Sequence, residues 1–214
     1  MKFLAFLILT LSWATTASAQ FCPRGQLLSL LPSIDSWYIP QSGMLPTLKP
    51  GDCLTTRTIT DPAEIESGRI AVFSEGPTKT IFLFRIVATA GQTVQMRNGA
   101  LWINGTPVPR TALSPYLHIV QLTNGTPSRC PTPTAVGDTC EIKQFQEVLG
   151  NTTYATLDLG KSPYDDTDIF VVPPDHVFVL GDHRDNATDS RMARDIGGRG
   201  FVSIDRIIGI VSRK

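Results

Sequence analysis

The chain is short of charge. Asp, Glu, Lys and Arg make up 18% of its 214 residues, against about 25% in an average soluble domain. The 19 basic residues are balanced by 19 acidic ones, so no global field favours nucleic acid, which is excluded as a partner class. Histidine is scarce too: His118, His176 and His183 are scattered, and neither they nor the cysteines have the spacing of a metal site. No metal and no cofactor are expected. After the N-terminal segment, no apolar run approaches the roughly 20 residues of a spanning helix. In place of charge the chain carries 17 Gly and 16 Pro, residues that interrupt helices and favour turns. A turn-rich β protein without long helices is the expected class.

The N-terminus reads Met1-Lys2, an apolar run from Phe3 to Leu11, and Ala17-Ser18-Ala19 before Gln20. One basic residue, a short apolar core and a small-residue end are the marks of a secretory signal peptide over 1–19, with an uncleaved signal anchor as the competing reading. Cys22 does not sit in a lipoprotein-type context. Export permits disulfides, and Cys22, Cys53, Cys130 and Cys140 all follow the leader. Cys130 and Cys140 bracket a Pro-Thr-rich loop and are the expected pair, stabilising by about 2.7 kcal/mol in the chain-entropy model. The pairing of Cys22 with Cys53 is left open.

Along the chain, Cys53 to Thr58, Arg69 to Ser74 and Thr80 to Thr89 read as strands, the last as a strand buried on both faces. Gln92 to Arg97, Asn98-Gly99 and Ala100 to Ile103 form the clearest hairpin, since Asn-Gly favours the positive φ angles of a type I′ turn. Asn104-Gly105 repeats the signal. From Thr111 to Asp168 the composition shifts to Thr, Pro, Asn and Gly, which marks an inserted β subdomain over 111–168 within a core of 20–110 and 169–214. His176 to Leu180 and Ile204 to Val211 supply the last strands. The sequons at Asn104, Asn124, Asn151 and Asn186 carry no functional weight.

Three separated segments carry the chemistry. The first is Ile39-Pro40-Gln41-Ser42-Gly43-Met44-Leu45-Pro46-Thr47-Leu48, within a stiff, bent stretch from Tyr38 to Asp52. The second is Phe84-Arg85-Ile86-Val87-Ala88-Thr89-Ala90-Gly91-Gln92. The third is Gly181-Asp182-His183-Arg184-Asp185-Asn186-Ala187-Thr188-Asp189-Ser190-Arg191. In this order they resemble the motifs of the type I signal peptidases, serine endopeptidases in which a lysine activates the nucleophile.

The resemblance implies a mostly β fold, a coiled antiparallel sheet with an inserted small β subdomain, shared with self-cleaving repressors of the LexA type. It places the nucleophile at Gly43, the lysine base at Phe84, the hydroxyl that orients the lysine at Ala187, and the hydroxyl beside the oxyanion at Gln41. None of the four has the required group. A phenyl ring has no lone pair with which to take a proton. The resemblance further implies a groove that binds an extended peptide by strand addition near Met44, Leu45 and Pro46. Gly181, Asp182, Arg184, Asp185, Asp189 and Arg191 read as a loop held by charge-assisted pairs, with Gly181 allowing a tight turn.

Two functional readings stand. One is an exported, catalytically degenerate protein that binds extended or signal-peptide-like segments, or an envelope or secretion partner, in the bacterial periplasm or at the outer face of the inner membrane, with the membrane surface as a further partner. The other is an active signal-peptide-cleaving serine endopeptidase using Ser42 with Lys79 or His183 as base. In an extended segment, however, a shift of one residue turns Ser42 to the opposite face from Gly43, and His183 is expected to be partly exposed.

Overall fold

Turn chemistry sets the strand order. The computed structural model describes Cys22, residues 34–123 and residues 125–211; the leader, the leucines between Leu27 and Leu31 and the Asn124 sequon lie outside the described residues. β1 to β4 are Ile34–Tyr38, Cys53–Thr58, Ile70–Glu75 and Thr80–Thr89. β5 to β7 are Thr93–Arg97, Ala100–Ile103 and Thr106–Pro107. Asn98 and Gly99 hold φ angles of 48° and 72°, and Asn104 and Gly105 of 51° and 74°, so both expected Asn-Gly turns form with both residues left-handed.

β8 to β13 follow as Arg110–Ala112, Tyr116–Ile119, Leu122–Thr123, Thr126–Pro127, Thr139–Leu149 and Thr152–Asp158. The long β12 pairs with β13, β8 and β9 in a second sheet, and β10 and β11 form a small ribbon. β14 to β17 are Phe170–Val171, His176–Leu180, Val202–Ser203 and Ile207–Val211. The chain is thus mostly β, with antiparallel ladders. Its last strand is shorter than expected, because Ile204–Arg206 forms a turn of 3-10 helix instead. The Ile204 amide donates to the Asp175 carbonyl, which draws the chain out of the ladder there.

The main sheet runs β1-β2-β17-β3-β4-β15-β16, while β14-β5-β6-β7 make a smaller one. β4 is the shared wall. Ile86 packs into a core with Phe73, Phe84, Val177, Val179 and Ile210, and Val87 on the opposite face packs with Val94, Met96, Leu101 and Phe178. Burial on both faces holds only from Phe84 to Ala88, and the first residues of the strand are exposed or partly exposed. A third core joins Leu45 of the first segment to Val120, Cys140, Ile142 and Leu157 of the second sheet. Cys130–Cys140 is bonded as expected, and Cys22–Cys53 ties the chain before β1 to β2.

Candidate functional site

The first segment is bent, as its prolines suggest, and its bends are a run of turns, so the extended geometry assumed for Ser42 does not hold. The Leu45 amide donates to the Ser42 carbonyl at 3.1 Å and the Leu48 amide to the Met44 carbonyl at 2.9 Å. The Ile39 amide closes the loop on the Asp52 carbonyl at 2.9 Å. Two adjacent apolar side chains anchor it in different places, Met44 in the core under the main sheet and Leu45 in the core of the second sheet. Both are only 3% exposed, so neither is a freely presented surface, although Met44 lines a groove described below. The Thr47 hydroxyl donates to the Asp182 carboxylate, which fastens the loop to the third segment.

The third segment leaves β15 through a lattice of buried ion pairs. Arg85 grips Asp182 with two hydrogen bonds, Nε to Oδ1 at 2.8 Å and Nη2 to Oδ2 at 2.6 Å, and its Nη1 donates to the Gly68 carbonyl. Burial works against the charge on Arg85, but Asp182 outweighs it and holds the guanidinium pKa above its ordinary value. Arg184 Nη2 donates to Glu147 Oε2 at 2.6 Å, and the Tyr154 hydroxyl donates to the same oxygen at 2.8 Å. Burial, reinforced by the negative Glu147, pushes the Tyr154 phenol pKa up. Arg191 pairs with Asp189 at 2.9 Å, and Asp185 Oδ2 accepts the Leu159 amide at 2.7 Å.

His183 is buried, not partly exposed. Its amide donates to the Gly43 carbonyl at 3.0 Å, and its neighbour across a parallel bridge is Leu157. Burial, with the positive groups His118 and Arg129 nearby, pushes the imidazole pKa down to about 4.

The positions singled out from the sequence converge. A Cβ added at Gly43 would lie 3.7 Å from the Phe84 ring, 3.8 Å from Ala187 Cβ and 3.2 Å from the Asn186 carbonyl oxygen. Gly181 completes the group, and the reason for its glycine differs from the tight turn expected. A Cβ there would lie 2.3 Å from Ala187 Cβ and 2.7 Å from the Gly43 carbonyl oxygen, so close approach requires it. Phe84 is buried in the main core with Phe73, ring centroids 6.3 Å apart. Where a hydroxyl and an amine would meet, an apolar ring faces a bare backbone.

Above this floor lies a cleft of about 680 Å³ lined by Gln41, Ser42, Gly43, Phe84, Asn186 and Arg129, among others. Ser42 Oγ accepts a hydrogen bond from Asn186 Nδ2 at 2.7 Å. Lys79 does not line the cleft; it sits in the β3–β4 turn with a φ of 49°. Among the described residues no group of three or more His, Cys, Asp or Glu is placed to hold a metal ion. Arg85 stood in the second segment without a role, and Glu147, Tyr154 and Arg129 gave no signal, since they reach the site from the second sheet and its loops only through the fold.

A groove of about 180 Å³ continues from the cleft, walled by Trp37, Tyr38 and Ile39 on one side and Ile81, Phe82 and Leu83 on the other. The sheet therefore coils far enough to bring the exit of β1 over the outer half of β4. β15 pairs with β4 only from Arg85 to Thr89, and among the described residues no strand covers the same edge of β4 from Thr80 to Phe84.

Comparison with known proteins gives the family. The sequence model of the family "Signal peptidase, peptidase S26" matches residues 25–213. Signal peptidase I T of Bacillus subtilis is 28% identical over 176 residues, 82% of this chain and 70% of that protein. Signal peptidase I of Rickettsia prowazekii is 28% identical over 154 residues, 68% of this chain and 50% of that protein. A crystal structure of a signal peptidase I from Enterococcus faecalis is 18% identical, covers 72% of this chain and all of that one, and superposes with a TM-score of 0.37.

Proposed function

The chain belongs to the signal peptidase family, peptidase S26, and from that premise we propose that it is a catalytically degenerate member that binds extended peptides. The observation that carries the reading is the convergence of Gly43, Phe84 and Ala187 in one apolar floor. Lysine activation of a serine needs a hydroxyl and an unprotonated amine within hydrogen-bond reach of each other. Here neither position supplies a heteroatom on its side chain.

The substitutes are poorly suited. Ser42 lines the cleft, but its oxygen is occupied as an acceptor from Asn186. His183 is neutral at physiological pH, but an imidazole of pKa about 4 is a weak base and the ring is buried. Peptide binding needs none of this chemistry. The uncovered edge of β4 offers backbone donors and acceptors to an added strand, and the groove between it and the exit of β1 supplies an apolar wall. The peptide class is signal-peptide-like segments, in keeping with the family, and the site of action is the bacterial envelope, with a secretion or envelope protein as the further partner. Met44 lines this groove, Leu45 holds the loop to the second sheet, and Pro46 lies in the same loop but lines neither cleft nor groove.

The test is to incubate the purified protein with a fluorescein-labelled signal-peptide substrate and follow anisotropy and chain length together. Binding without cleavage is expected from both the wild-type protein and Ser42→Ala. Cleavage by the wild type that disappears in Ser42→Ala would overturn the reading in favour of an active endopeptidase; contaminating protease must be excluded, since loss of a serine nucleophile costs on the order of 10⁶ in turnover.

A further inference from the structure

We propose that the peptide groove ends in a carboxylate-binding site, built from Arg194, Arg199 and the threonines of the β3–β4 hairpin, so that the bound peptide carries an Asp or Glu about four residues from the one opposite Phe84. The inference rests on the peptide-binding reading and specifies its ligand. One face of β4 carries the argument. Side chains two apart share a face of a strand, so Phe84, Phe82 and Thr80 form a row leading outward from the cleft. Their cross-strand neighbours on β3 are Ala71, Phe73 and Glu75, so the row passes from apolar to charged.

Phe84 borders both the cleft and the narrow groove. Phe82 borders the groove and also a third cavity of about 270 Å³ lined by Glu75, Thr78, Thr80, Arg194 and Arg199. The three spaces are consecutive along the strand. At about 3.3 Å per residue, Thr80 lies some 13 Å from Phe84, which is four residues of an added strand.

The outer cavity has a surplus of positive charge. Glu75 is 8% exposed, and Arg199 Nη1 approaches it at 2.7 Å, Arg194 Nη2 at 3.0 Å and Arg206 Nη1 at 3.9 Å. Arg194 and Arg199 against the single Glu75 carboxylate leave the cavity an excess of one positive charge, and Arg206, outside the lining, adds to the field from behind Glu75. Glu75 holds Arg199 in place, and Arg199 also lies over the Phe82 ring, 3.9 Å from its centroid, which fixes the guanidinium plane. Arg199 Nε is buried and, among the described residues, has no hydrogen-bond partner. The hydroxyls of Thr78 and Thr80 lie 3.0 Å apart. Two hydroxyls that bond each other use one proton, so the second remains to donate to an acceptor. Glu75 Oε1 likewise has no hydrogen-bond partner among the described residues, and it is the net positive charge, with the Arg199 Nε and threonine donors, that fits a carboxylate.

The test uses labelled dodecapeptides of alternating Val and Thr in which a single Asp, Asn or Lys is walked through each position, titrated by anisotropy. At one position the Asp peptide is expected to bind about fivefold tighter than the Asn peptide, in the range of a partly exposed ion pair, and the Lys peptide weaker than either. Salt should erase the difference. Arg199→Gln is expected to abolish the preference, while Arg97→Gln, on β5 and in the lining of none of the three cavities, keeps it.

If no peptide binds, the peptide-binding reading falls and this inference with it. If Asp, Asn and Lys peptides bind alike, or Asp helps equally at every position, this inference alone is overturned. Sedimentation with phosphatidylglycerol vesicles that is lost in Arg199→Gln, without any Asp preference, would likewise overturn it in favour of a lipid surface.

Discussion

Phe84→Lys puts back the family's base and turns the apolar floor into a measurable electrostatic cost. Phe84 is 5% exposed and packed against Phe73 and Met44. An ammonium in such a place is disfavoured by desolvation, which is expected to bring the lysine pKa from its ordinary value of about 10.4 down to about 7.4. Each unit corresponds to about 1.4 kcal/mol, so the full difference is about 4 kcal/mol.

The sign follows from linkage. The unfolded chain holds its lysine proton up to pH about 10.4, whereas the folded chain releases it near pH 7.4. Folding of the variant is therefore least penalised above pH about 10.4, and the penalty grows as pH falls, levelling below about 7.4. Urea unfolding midpoints of wild type, Phe84→Lys and Phe84→Met from pH 6 to 10 give the measurement. Phe84→Met is expected to run parallel to the wild type, and the gap between Lys and Met to close steadily as pH rises. A pH-independent gap would show that the ammonium reaches solvent through the cleft, and the reasoning that this floor is a desolvated base site would fail. Signal-peptide cleavage is not expected from Phe84→Lys combined with Gly43→Ser, because Gln41 and Ala187 leave both new groups unsupported.

His183 supplies an independent pH test. Its folded pKa of about 4 lies below the ordinary histidine value of 6.5, so its contribution to stability is present above pH 6.5 and is lost as pH falls towards 4, by about 3 kcal/mol in all. His183→Gln should flatten that part of the acid limb, and NMR titration of the imidazole should find it neutral at pH 6. Glu147→Gln leaves the buried Arg184 charge without its counter-ion and is expected to cost about 3–5 kcal/mol, read as a fall in the urea midpoint. Glu147→Leu with Arg184→Met should cost less than Glu147→Gln alone, and a double variant no better than the single would refute the pairing.

What was legible in the sequence was local. Asn98-Gly99 specifies its own turn, because left-handed φ at both residues is available to that pair without help from the rest of the chain. Cys130 and Cys140 are ten residues apart, and their loop brings them together, whereas Cys22 and Cys53 are 31 apart and nothing nearby fixes the partner. The bent segment around Ser42 was legible as irregular, but not as a run of turns. Its conformation depends on Met44 and Leu45 reaching two separate cores, one of them contributed by β12 and β13. A lone polar residue is usually exposed, so the sequence alone gives no sign that His183 is buried. The parallel bridge to Leu157 that buries it joins positions 26 residues apart.

The polar residues present and absent at this site divide along a physical line. Asp182, Arg85, Glu147, Arg184, Asp189 and Arg191 all lie in pairs that are buried on both sides, and removing either member leaves a charge without its partner in a poorly solvated interior. The family's nucleophile, base and orienting hydroxyl are different in kind. Gly43, Phe84 and Ala187 touch one another across a few ångströms, so exchanging their polar groups together for hydrogen, a ring and a methyl leaves no member stranded, and the ring fills the volume the lysine would take. Such a coordinated exchange costs little stability, while any single exchange within the ion-pair lattice costs several kcal/mol. The same lattice holds the loop, the second sheet and β4 in register around the groove. The frame around the cleft is thus needed for folding whether or not the floor beneath it reacts, which is why the proposed loss of cleavage is compatible with an intact frame.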